Sequence, residues 1–425
     1  MTLSLLIAFL LITVAGYTLD LLNLRHLRRH GSEVPPGFEE AIDAETLGKT
    51  TAYTLEKSRL ALAESLLDNL LLVLFLFGGL LGGYDRWIAS LSSSFIGSGV
   101  LFFLLLTLAQ TLLDIPFNLY GTFRIENRYG FNTMTPGLWL SDFLKSTAVA
   151  ALLLSLVTAA AFAIVRFSPG FWWLWVWGFF ATVSIFLMYI SPYVIEPLFF
   201  KFKPVREEGL EDEVRALMAK AGVHVSRVMQ VDASRRSTHS NAYFTGIGRV
   251  KRIVLYDTLL ARMTHGEVLA ILAHEVGHWK KGHIRKRLVL TELAALAGCW
   301  LSFRLIDWGG LPGLLGMPSS SFAAQLVILA FLGAVVAFPL APLSSWLSRR
   351  DEREADRFAC ELTGQPEALA TALIKLSRDN LANLHPHPLY AKFHYSHPPV
   401  VERVRELRVM AESQPGDGLQ GTGLV

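Results

Sequence analysis

Long apolar stretches, separated by shorter charged segments, dominate the order of hydrophobic and polar positions along this chain. A helix needs about 20 mostly apolar residues to cross the hydrocarbon core of a bilayer. Seven stretches reach that length, so the pattern predicts seven membrane-spanning helices. They lie at Leu3–Leu19, Leu66–Tyr84, Phe95–Leu113, Ser146–Val165, within Phe167–Ile195, and at Leu288–Ile306 and Phe322–Leu343.

The composition agrees with a membrane protein. Apolar residues make up 52% of the 425 residues and charged residues only 18%, whereas about a quarter of the residues in an ordinary soluble protein are charged. A disordered chain is excluded, because it needs low hydrophobicity and high charge. The net charge of +3 does not indicate the concentrated basic face of a nucleic-acid-binding protein, so we expect the bilayer as a partner and no nucleic acid.

The distribution of lysine and arginine predicts the orientation in the membrane. The loops after the first, third and fifth spans and the segment after the seventh are basic, whereas the loops after the second, fourth and sixth carry one arginine each. Cytoplasmic loops are the ones enriched in lysine and arginine. We therefore expect the N-terminus outside and the C-terminus inside. The first span lacks the charged start and the cleavage site of a signal peptide.

Two polar segments are then left on the inner side, at residues 196–287 and 344–412, and we expect them to pack together as a small α+β domain. The intervening parts are the first five spans at 1–195 and the last two at 288–343. The tail 413–425 has four glycines in thirteen residues, which is typical of a disordered terminus. Helices are predicted at Leu210–Ala221, Glu352–Leu362, after Pro366 and at Pro399–Met410, and strands at Arg227–Val231, Asn241–Ile247 and Arg252–Tyr256.

The clearest chemical signal is the pentapeptide His274-Glu275-Val276-Gly277-His278 in an amphipathic helix. At 3.6 residues per turn the two histidines lie on one face, where both imidazoles can bind one Zn²⁺. Glu275 is placed to accept a proton from water, and Gly277 leaves room beside the metal. The alternative interpretation is two surface histidines on a helix. A helix continuous with the sixth span would place the metal roughly 15 Å from the membrane.

His283 follows the pentapeptide but does not fit the best-known pattern with a third histidine. That pattern places the third histidine ten residues after the first, and His283 comes nine residues after His274. We therefore predict that His283 faces a loop and is not a ligand.

A third metal ligand is expected from a later acidic segment, because a catalytic zinc site has three protein ligands and one open position. Glu352 and Asp356 are one turn apart in Ser348–Ala359, SRRDEREADRFA. One of them can bind the metal while the other orients a ligand imidazole. Glu354, two residues from Glu352, is a competing ligand.

Together these motifs resemble the type 1 CAAX prenyl proteases, a family of integral-membrane zinc metallopeptidases. The resemblance extends over nearly the whole chain. It rests on HEVGHWKKGH (274–283), SRRDEREADRFA (348–359), NAYFTG (241–246), YSHPP (395–399) with an arginine at 403, and FRIENRYGFN (123–132). The fold implied is an all-α polytopic membrane protein, with seven helices enclosing a chamber and a small α+β zinc protease domain on the inner side.

The resemblance also implies roles for individual residues. One zinc ion per chain is expected on His274, His278 and Glu352, with Asp356 behind the ligands. The remaining implied residues are Glu275, His397 and Arg403 for catalysis, and Asn241, Ala242, Tyr243 and Phe244 for substrate binding. Arg403 is expected to hold His397 or the peptide in place.

The expected function is hydrolysis of peptide or protein substrates near the C-terminus of CAAX tails, which in this family carry a prenylated cysteine. The alternatives are a broad-specificity quality-control protease of membrane proteins and, outside enzymology, a seven-span receptor or transporter. An intramembrane-cleaving protease is disfavoured because Lys280 and Lys281 follow the metal motif directly. Asp68 and Glu292 lie in or near spans, and ionisable groups there often face an aqueous interior. A bacterial cell membrane is expected, or otherwise the endoplasmic reticulum membrane.

Overall fold

A computed structural model of the chain describes residues 1–245 and 250–413, and helices dominate it. The helices in chain order are α1 Thr2–His30, α2 Ala44–Phe77, α3 Leu80–Leu91, α4 Phe95–Tyr120, α5 Asn127–Tyr129, α6 Pro136–Phe167, α7 Trp172–Val194, α8 Leu210–Lys220 and α9 Asp257–Leu260. They continue with α10 His265–Lys280, α11 His283–Asp307, α12 Leu311–Leu314, α13 Phe322–Ala337, α14 Ala341–Thr363, α15 Pro366–Asp379, α16 Pro388–His394 and α17 Val400–Ser413.

Seven helices within these residues are long and apolar enough to cross a membrane, as predicted. They are α1, α2, α4, α6, α7, α11 and the continuous run from α13 into α14. No more than 17% of the apolar window of any of these helices is buried. A tightly packed bundle would bury at least one face of each helix, so this low burial fits helices arranged around an open interior and exposed to lipid.

The second span ends earlier than predicted. The apolar pattern continued to Tyr84, but α2 ends at Phe77 and α3 begins at Leu80. Gly79, between them, has φ +81°, a left-handed conformation that glycine adopts without steric cost and that ends helices. At its other end α2 extends back to Ala44, where Asp43 accepts a hydrogen bond from the Thr46 backbone N–H at 2.8 Å.

Polar side chains in the spans contact one another. Gln110 on α4 donates to Asp114 at 2.8 Å and to Asp68 on α2 at 3.2 Å. Asp68 is exposed and Glu292 on α11 is half-buried.

The extramembrane sheet has four strands in the described part of the chain. They are β1 Phe202–Pro204, β2 His224–Val231, β3 Ala242–Thr245 and β4 Val250–Tyr256, in the order β1-β2-β4-β3. β2 and β4 are parallel, and the other two pairs are antiparallel. The three predicted strands are present, and β1 was not predicted. Residues 246–247 of the predicted second strand lie outside the described residues. β3 is an edge strand, paired with β4.

One hydrophobic core joins the two inner segments. It includes Leu255 of β4, Leu272 of α10, Ala359 of α14 and Leu407 of α17, all nearly inaccessible to solvent. Phe38, from the connection between α1 and α2, is also completely buried in it. The first loop therefore packs on the same body as the predicted metal helix. The division into domains stays a prediction, and of the predicted tail only Ser413, the last residue of α17, lies within the described residues.

Candidate metal centre

The candidate metal-binding pentapeptide lies on α10, whose start is fixed by a capping box. Thr264 accepts a hydrogen bond from the Glu267 backbone N–H, and the Glu267 carboxylate accepts one from the Thr264 N–H at 2.8 Å. Such reciprocal bonds satisfy two donors that a helix start otherwise leaves free. Val268 and Leu272 are fully buried on the core face. α10 is thus anchored at its start and along one face.

The acidic segment lies on α14, which packs closely against α10. The two backbones meet at Gly277 and Ala355. A Cβ added to Gly277 would lie only 3.0 Å from the Ala355 Cα. Glycine was predicted to leave room beside the metal, but its contact is with the facing helix. The absence of a side chain lets α14 approach until Glu352 reaches the two histidines.

Three donor atoms converge between these helices. The Nε2 atoms of His274 and His278 are 3.1 Å apart, and the Glu352 carboxylate oxygens lie 3.4 Å from the first and 3.2 Å from the second. Four-coordinate zinc with bonds of about 2.0–2.2 Å separates its ligand atoms by roughly 3.3–3.5 Å. Glu352 Oε2 is buried and has no hydrogen-bond partner among the described residues. The donor set, its spacing and this unpaired oxygen therefore fit a zinc ion.

Asp356 contacts the candidate ligand His274 on the side of the ring away from the cluster. Its Oδ1 is 2.7 Å from His274 Nδ1, which leaves the Nε2 of that ring for the metal. Arg403 donates to both Asp356 oxygens, at 2.9 and 2.7 Å, and its guanidinium lies 3.6 Å from Glu352. Arg403 was expected to hold His397 or the peptide, but its hydrogen bonds go to the carboxylate that orients a ligand.

The electrostatics of this cluster favour a positive charge at its centre. Burial by itself lowers the pKa of His274, but hydrogen bonds to Asp356 and Glu352 outweigh burial and raise it to about 9. Burial also opposes ionisation of Arg403, and the nearby Asp356 carboxylate more than offsets this and raises its pKa. The two negative charges of Glu352 and Asp356 therefore exceed the one positive charge of Arg403. A cation between the imidazoles would compensate the remaining negative charge.

His397 lies on the open side of the cluster. Its Nε2 is 3.3 Å from Glu352 Oε1, its Nδ1 is 3.0 Å from the Ser396 hydroxyl, and 61% of its side chain is exposed. It is therefore beside the position that a metal would take, yet accessible to a substrate.

Glu275 faces a cavity of about 720 Å³ that also contacts His278. Tyr243, Phe244 and Thr245 of β3 line the same cavity. The predicted base, one predicted ligand and the edge strand thus share one space. Of the four predicted substrate-binding residues, Asn241 and Ala242 do not line it. Ala242 is buried, and the Asn241 carbonyl accepts the Tyr256 N–H at 3.1 Å, within the sheet.

The prediction that His283 faces a loop is wrong. α10 ends at Lys280 and α11 begins at His283. The helix is therefore not continuous into the sixth span, and the distance of roughly 15 Å, which assumed a continuous helix, does not apply. Gly282 has φ +70° and makes this corner, and a bend changes which residues meet. His283 is only 2% exposed, with its Nδ1 3.1 Å from His278 Nδ1. Its Nε2 is 3.2 Å from Glu354, which therefore faces His283 and not the ligand cluster.

The motif at 123–132 connects the membrane helices to the sheet. It contains a π-helical turn, Gly121–Glu126. Glu126 accepts a hydrogen bond from Tyr53 of α2 at 2.7 Å and lies 3.4 Å from His239. Phe131 stacks on the His239 ring at 4.2 Å. Since His239 comes three residues before β3, this motif fixes the approach to the edge strand.

Comparisons with known proteins agree over most of the chain. Residues 23–201 match the family described as "CAAX prenyl protease N-terminal, five membrane helices", and residues 204–411 match peptidase family M48. The chain is 32% identical to the human CAAX prenyl protease 1 homolog over 91% of each chain. It is 30% identical to CAAX prenyl protease 1 of Saccharomyces cerevisiae over 90% of each. The crystal structure of S. mikatae Ste24p aligns with a TM-score of 0.86 at 28% identity, covering 94% of this chain and 98% of that one.

Proposed function

Since this chain belongs to peptidase family M48 and is an integral multi-pass membrane metalloendopeptidase, we propose that it hydrolyses peptide bonds near the C-terminus of CAAX-type tails whose cysteine carries a prenyl group. The substrate class is supported by the relatives, which are named CAAX prenyl proteases. Receptors and transporters do not need the metal motifs.

The observation that carries this proposal is the cavity beside the metal cluster. It brings Glu275 and His278 together with the edge strand and with apolar side chains of two spans, Met188 on α7 and Leu288 on α11. A peptide lying on β3 can therefore reach the base while an isoprenoid chain attached to it contacts apolar surface. A soluble peptidase has no membrane helices and needs no cavity that joins its active site to them.

Zinc is the proposed metal, one ion per chain, held by His274, His278 and Glu352. When bound, it supplies a Lewis acid that polarises the scissile carbonyl and lowers the pKa of water. Asp356 holds the proton of His274 on Nδ1, so that Nε2 offers its lone pair. The chain's part is to keep these three donors preorganised.

Glu275 is the proposed general base. It is adjacent to a ligand on α10 and half-buried at the cavity wall. There it can accept a proton from the attacking water and deliver it to the leaving amine. His397, on the open side of the cluster, is placed to donate a hydrogen bond to the oxyanion that forms at the carbonyl. Arg403 acts through Asp356 and Glu352 as a positioning residue.

β3 is the proposed docking strand for the substrate. It is at the edge of the sheet, and its residues Tyr243 to Thr245 line the cavity. An edge strand presents free N–H and C=O groups on one side, which hold an extended peptide without reading its sequence. Tyr243 is fixed by a hydrogen bond from its hydroxyl to Glu196 at 2.8 Å. The strand is thus held in place before a peptide arrives.

The orientation in the membrane is part of the proposal, with the N-terminus outside and the catalytic domain on the inner, cytoplasmic side. The support is the alternation of basic loops and the packing of the first loop on the core of the metal domain. A reporter fused after Met410 should read as internal. A reporter signal from the external side would contradict this orientation but would leave the proposed enzymatic activity unaffected.

The test of substrate class compares a farnesylated CAAX peptide with the same peptide lacking the lipid, with products identified by mass. We expect the farnesylated peptide to lose its last three residues at a much higher kcat/KM. Glu275→Gln is the matched control, because it preserves shape and leaves the ligands in place but removes the base. It should retain zinc and lose turnover. Equal cleavage of the two peptides would instead support a broad-specificity quality-control protease.

A further inference from the structure

Two cations that lack a carboxylate partner among the described residues line the cavity next to the proposed base. The Lys280 ammonium lies over the Trp279 ring, 5.5 Å from its centre. Lys280 ends α10, Arg285 lies in the first turn of α11, and both side chains line the cavity that contains Glu275. In the part of the chain that the structure describes, neither has an ion pair with a carboxylate. The mechanism proposed above uses neither of them.

Two neighbouring cations, by contrast, are paired with carboxylates. Lys281 lies 4.0 Å from Glu354, and Arg287 lies 3.0 Å from Asp351. These pairs brace the corner between α10 and α11 against α14. Lys280 and Arg285 thus combine two properties: they face the cavity, and they have no carboxylate partner among the described residues. An anionic group of a substrate could supply that partner.

The spacing matches the end of a CAAX tail. Lys280 comes five residues after Glu275 on the same helix, which is about 7.5 Å along its axis. A bond cleaved three residues from the end of an extended chain lies about 10 Å from the terminal carboxylate. Because an arginine or lysine side chain bridges the remaining distance, a tail cut at the metal can place its C-terminus at these cations.

We propose that Lys280 and Arg285 bind the C-terminal carboxylate of the substrate and thereby determine which bond is cut when a free C-terminus occupies the cavity. This inference rests on the proposed function. It identifies the C-terminal carboxylate as the group that sets the distance from the chain end to the cleaved bond. The metal cluster performs the chemistry on any peptide bond that it reaches, whereas a carboxylate found only at a chain end sets the register.

The experiment compares a farnesylated CAAX peptide ending in a free acid with the same peptide ending in an amide. A charge-assisted hydrogen bond is worth about 1.5–3 kcal/mol, so we expect the amide to lower kcat/KM about tenfold or more, mainly through KM. In the double variant Lys280→Gln/Arg285→Gln the acid and the amide should differ by less than about twofold. Lys286→Gln is the matched control, because this exposed cation adjoins Arg285 but does not line the cavity.

Each outcome has a definite meaning. Equal rates for acid and amide with the unaltered enzyme, or discrimination that persists in the double variant, would overturn the carboxylate site alone. Failure of the unaltered enzyme to cleave either peptide would overturn the proposed function, and this inference with it. Both cations are exposed, so the variants should fold normally, and zinc content provides the check.

A second inference concerns His283 and rests on different contacts. His278 Nε2 faces the ligand cluster, while its Nδ1 lies 3.1 Å from His283 Nδ1. His283 Nε2 in turn lies 3.2 Å from the Glu354 carboxylate. If His278 binds a metal through Nε2, its proton is on Nδ1 and is donated to His283, whose own proton is on Nε2 and is donated to Glu354. In this series of hydrogen bonds from His278 through His283 to Glu354, each N–H donor then has one acceptor.

We infer that His283 is a positioning residue that fixes the tautomer and the ring plane of His278, as Asp356 does for His274. A ligand histidine usually donates its second N–H to a carboxylate or carbonyl, and here a neutral imidazole connects it to Glu354. The corner at Gly282 makes this contact possible, because it turns the start of α11 back toward α10.

The test measures zinc affinity by competition with a chelator, together with thermal unfolding of the metal-free protein. His283→Ala should weaken zinc binding about 10–100-fold. His283→Asn should recover part of it, since its amide oxygen can accept the His278 proton. Glu354 lies at the solvent side of this series of hydrogen bonds, so Glu354→Ala should weaken zinc binding less than His283→Ala. If His283→Ala does not fold, Glu354→Ala provides the test instead. His265→Ala is the control, another histidine at the first position of its helix.

Zinc binding by His283→Ala within twofold of the unaltered protein would overturn this inference and leave the metal site intact. The inference would also be overturned if His283→Ala and His283→Asn lost zinc affinity equally and both unfolded at a lower temperature without metal. That result would show that His283 acts through packing and not through a hydrogen bond to His278. If the unaltered protein binds no zinc, the metal proposal itself is wrong.

Discussion

Gly277 lies where the two helices of the metal centre come closest, and its replacement by alanine tests whether that distance sets the site. The added Cβ would lie 3.0 Å from the Ala355 Cα, 3.1 Å from the Ala355 carbonyl oxygen and 3.2 Å from Phe358 Cδ1. Two of these atoms belong to the backbone, so α14 has to move as a unit by a few tenths of an ångström. Glu352 lies three residues before Ala355 and moves with it.

The magnitude follows from two opposing effects. Alanine is favoured over glycine inside a helix by about 1 kcal/mol, while an extra carbon in a well-packed contact costs about 1–3 kcal/mol. We therefore expect Gly277→Ala to lower the free energy of unfolding by about 0–2 kcal/mol. Zinc affinity should fall about tenfold or more, since ligand sites tolerate displacements of only about 0.5 Å.

The assay is thermal unfolding of the detergent-solubilised protein, together with zinc affinity from chelator competition. Gly48→Ala is the matched control. Gly48 is an exposed glycine of α2 whose added Cβ would meet no atom within 4 Å, so only the helix preference remains, a gain of about 1 kcal/mol. Gly277→Ala with normal zinc affinity and the same stabilisation as Gly48→Ala would refute the argument that close helix packing sets the metal site.

Other expected outcomes follow from the same cluster. Glu352→Ala should lose zinc and activity together, as measured by metal content and peptide hydrolysis. Asp356→Ala should lower the free energy of unfolding by about 3–5 kcal/mol, because Arg403 is left buried without its bidentate partner; Asp356→Leu/Arg403→Met should recover much of that loss in thermal unfolding. His397→Ala should bind zinc normally and lower kcat about 100-fold with little change in KM; a change in KM alone would assign His397 to substrate binding. Chelation should abolish activity, added zinc should restore it, and the unfolding temperature should be lower without metal.

Much of the architecture is readable from the sequence because the signals are local. A run of apolar residues long enough to cross a bilayer has few alternatives to a membrane helix, and the predicted spans are confirmed. Several helices extend beyond their apolar runs, but the second span ends early, at Phe77 and not at Tyr84. This end depends on Gly79, whose left-handed conformation interrupts a helix within an apolar run.

The metal cluster is readable for a similar reason. Two histidines four residues apart lie on one face of any helix, so the donor pair follows from helix geometry alone. Glu352 comes 74 residues after His278 in the sequence, and spacing alone did not distinguish it from Glu354. Packing decides between them: Glu352 points between the helices, and Glu354 points to His283.

The sequence by itself determined the membrane class, most of the helices and the types of side chain available to bind a metal, because these depend on hydrophobicity and on the period of a single helix. The tertiary structure alone decided how close the helices come at Gly277, the corner at Gly282 that brings His283 to His278, and the pairing of Arg403 with Asp356. Each is a contact between elements that are far apart in the sequence or that lie on either side of a bend. The periodicity of one helix contains no information about how closely another element packs against it.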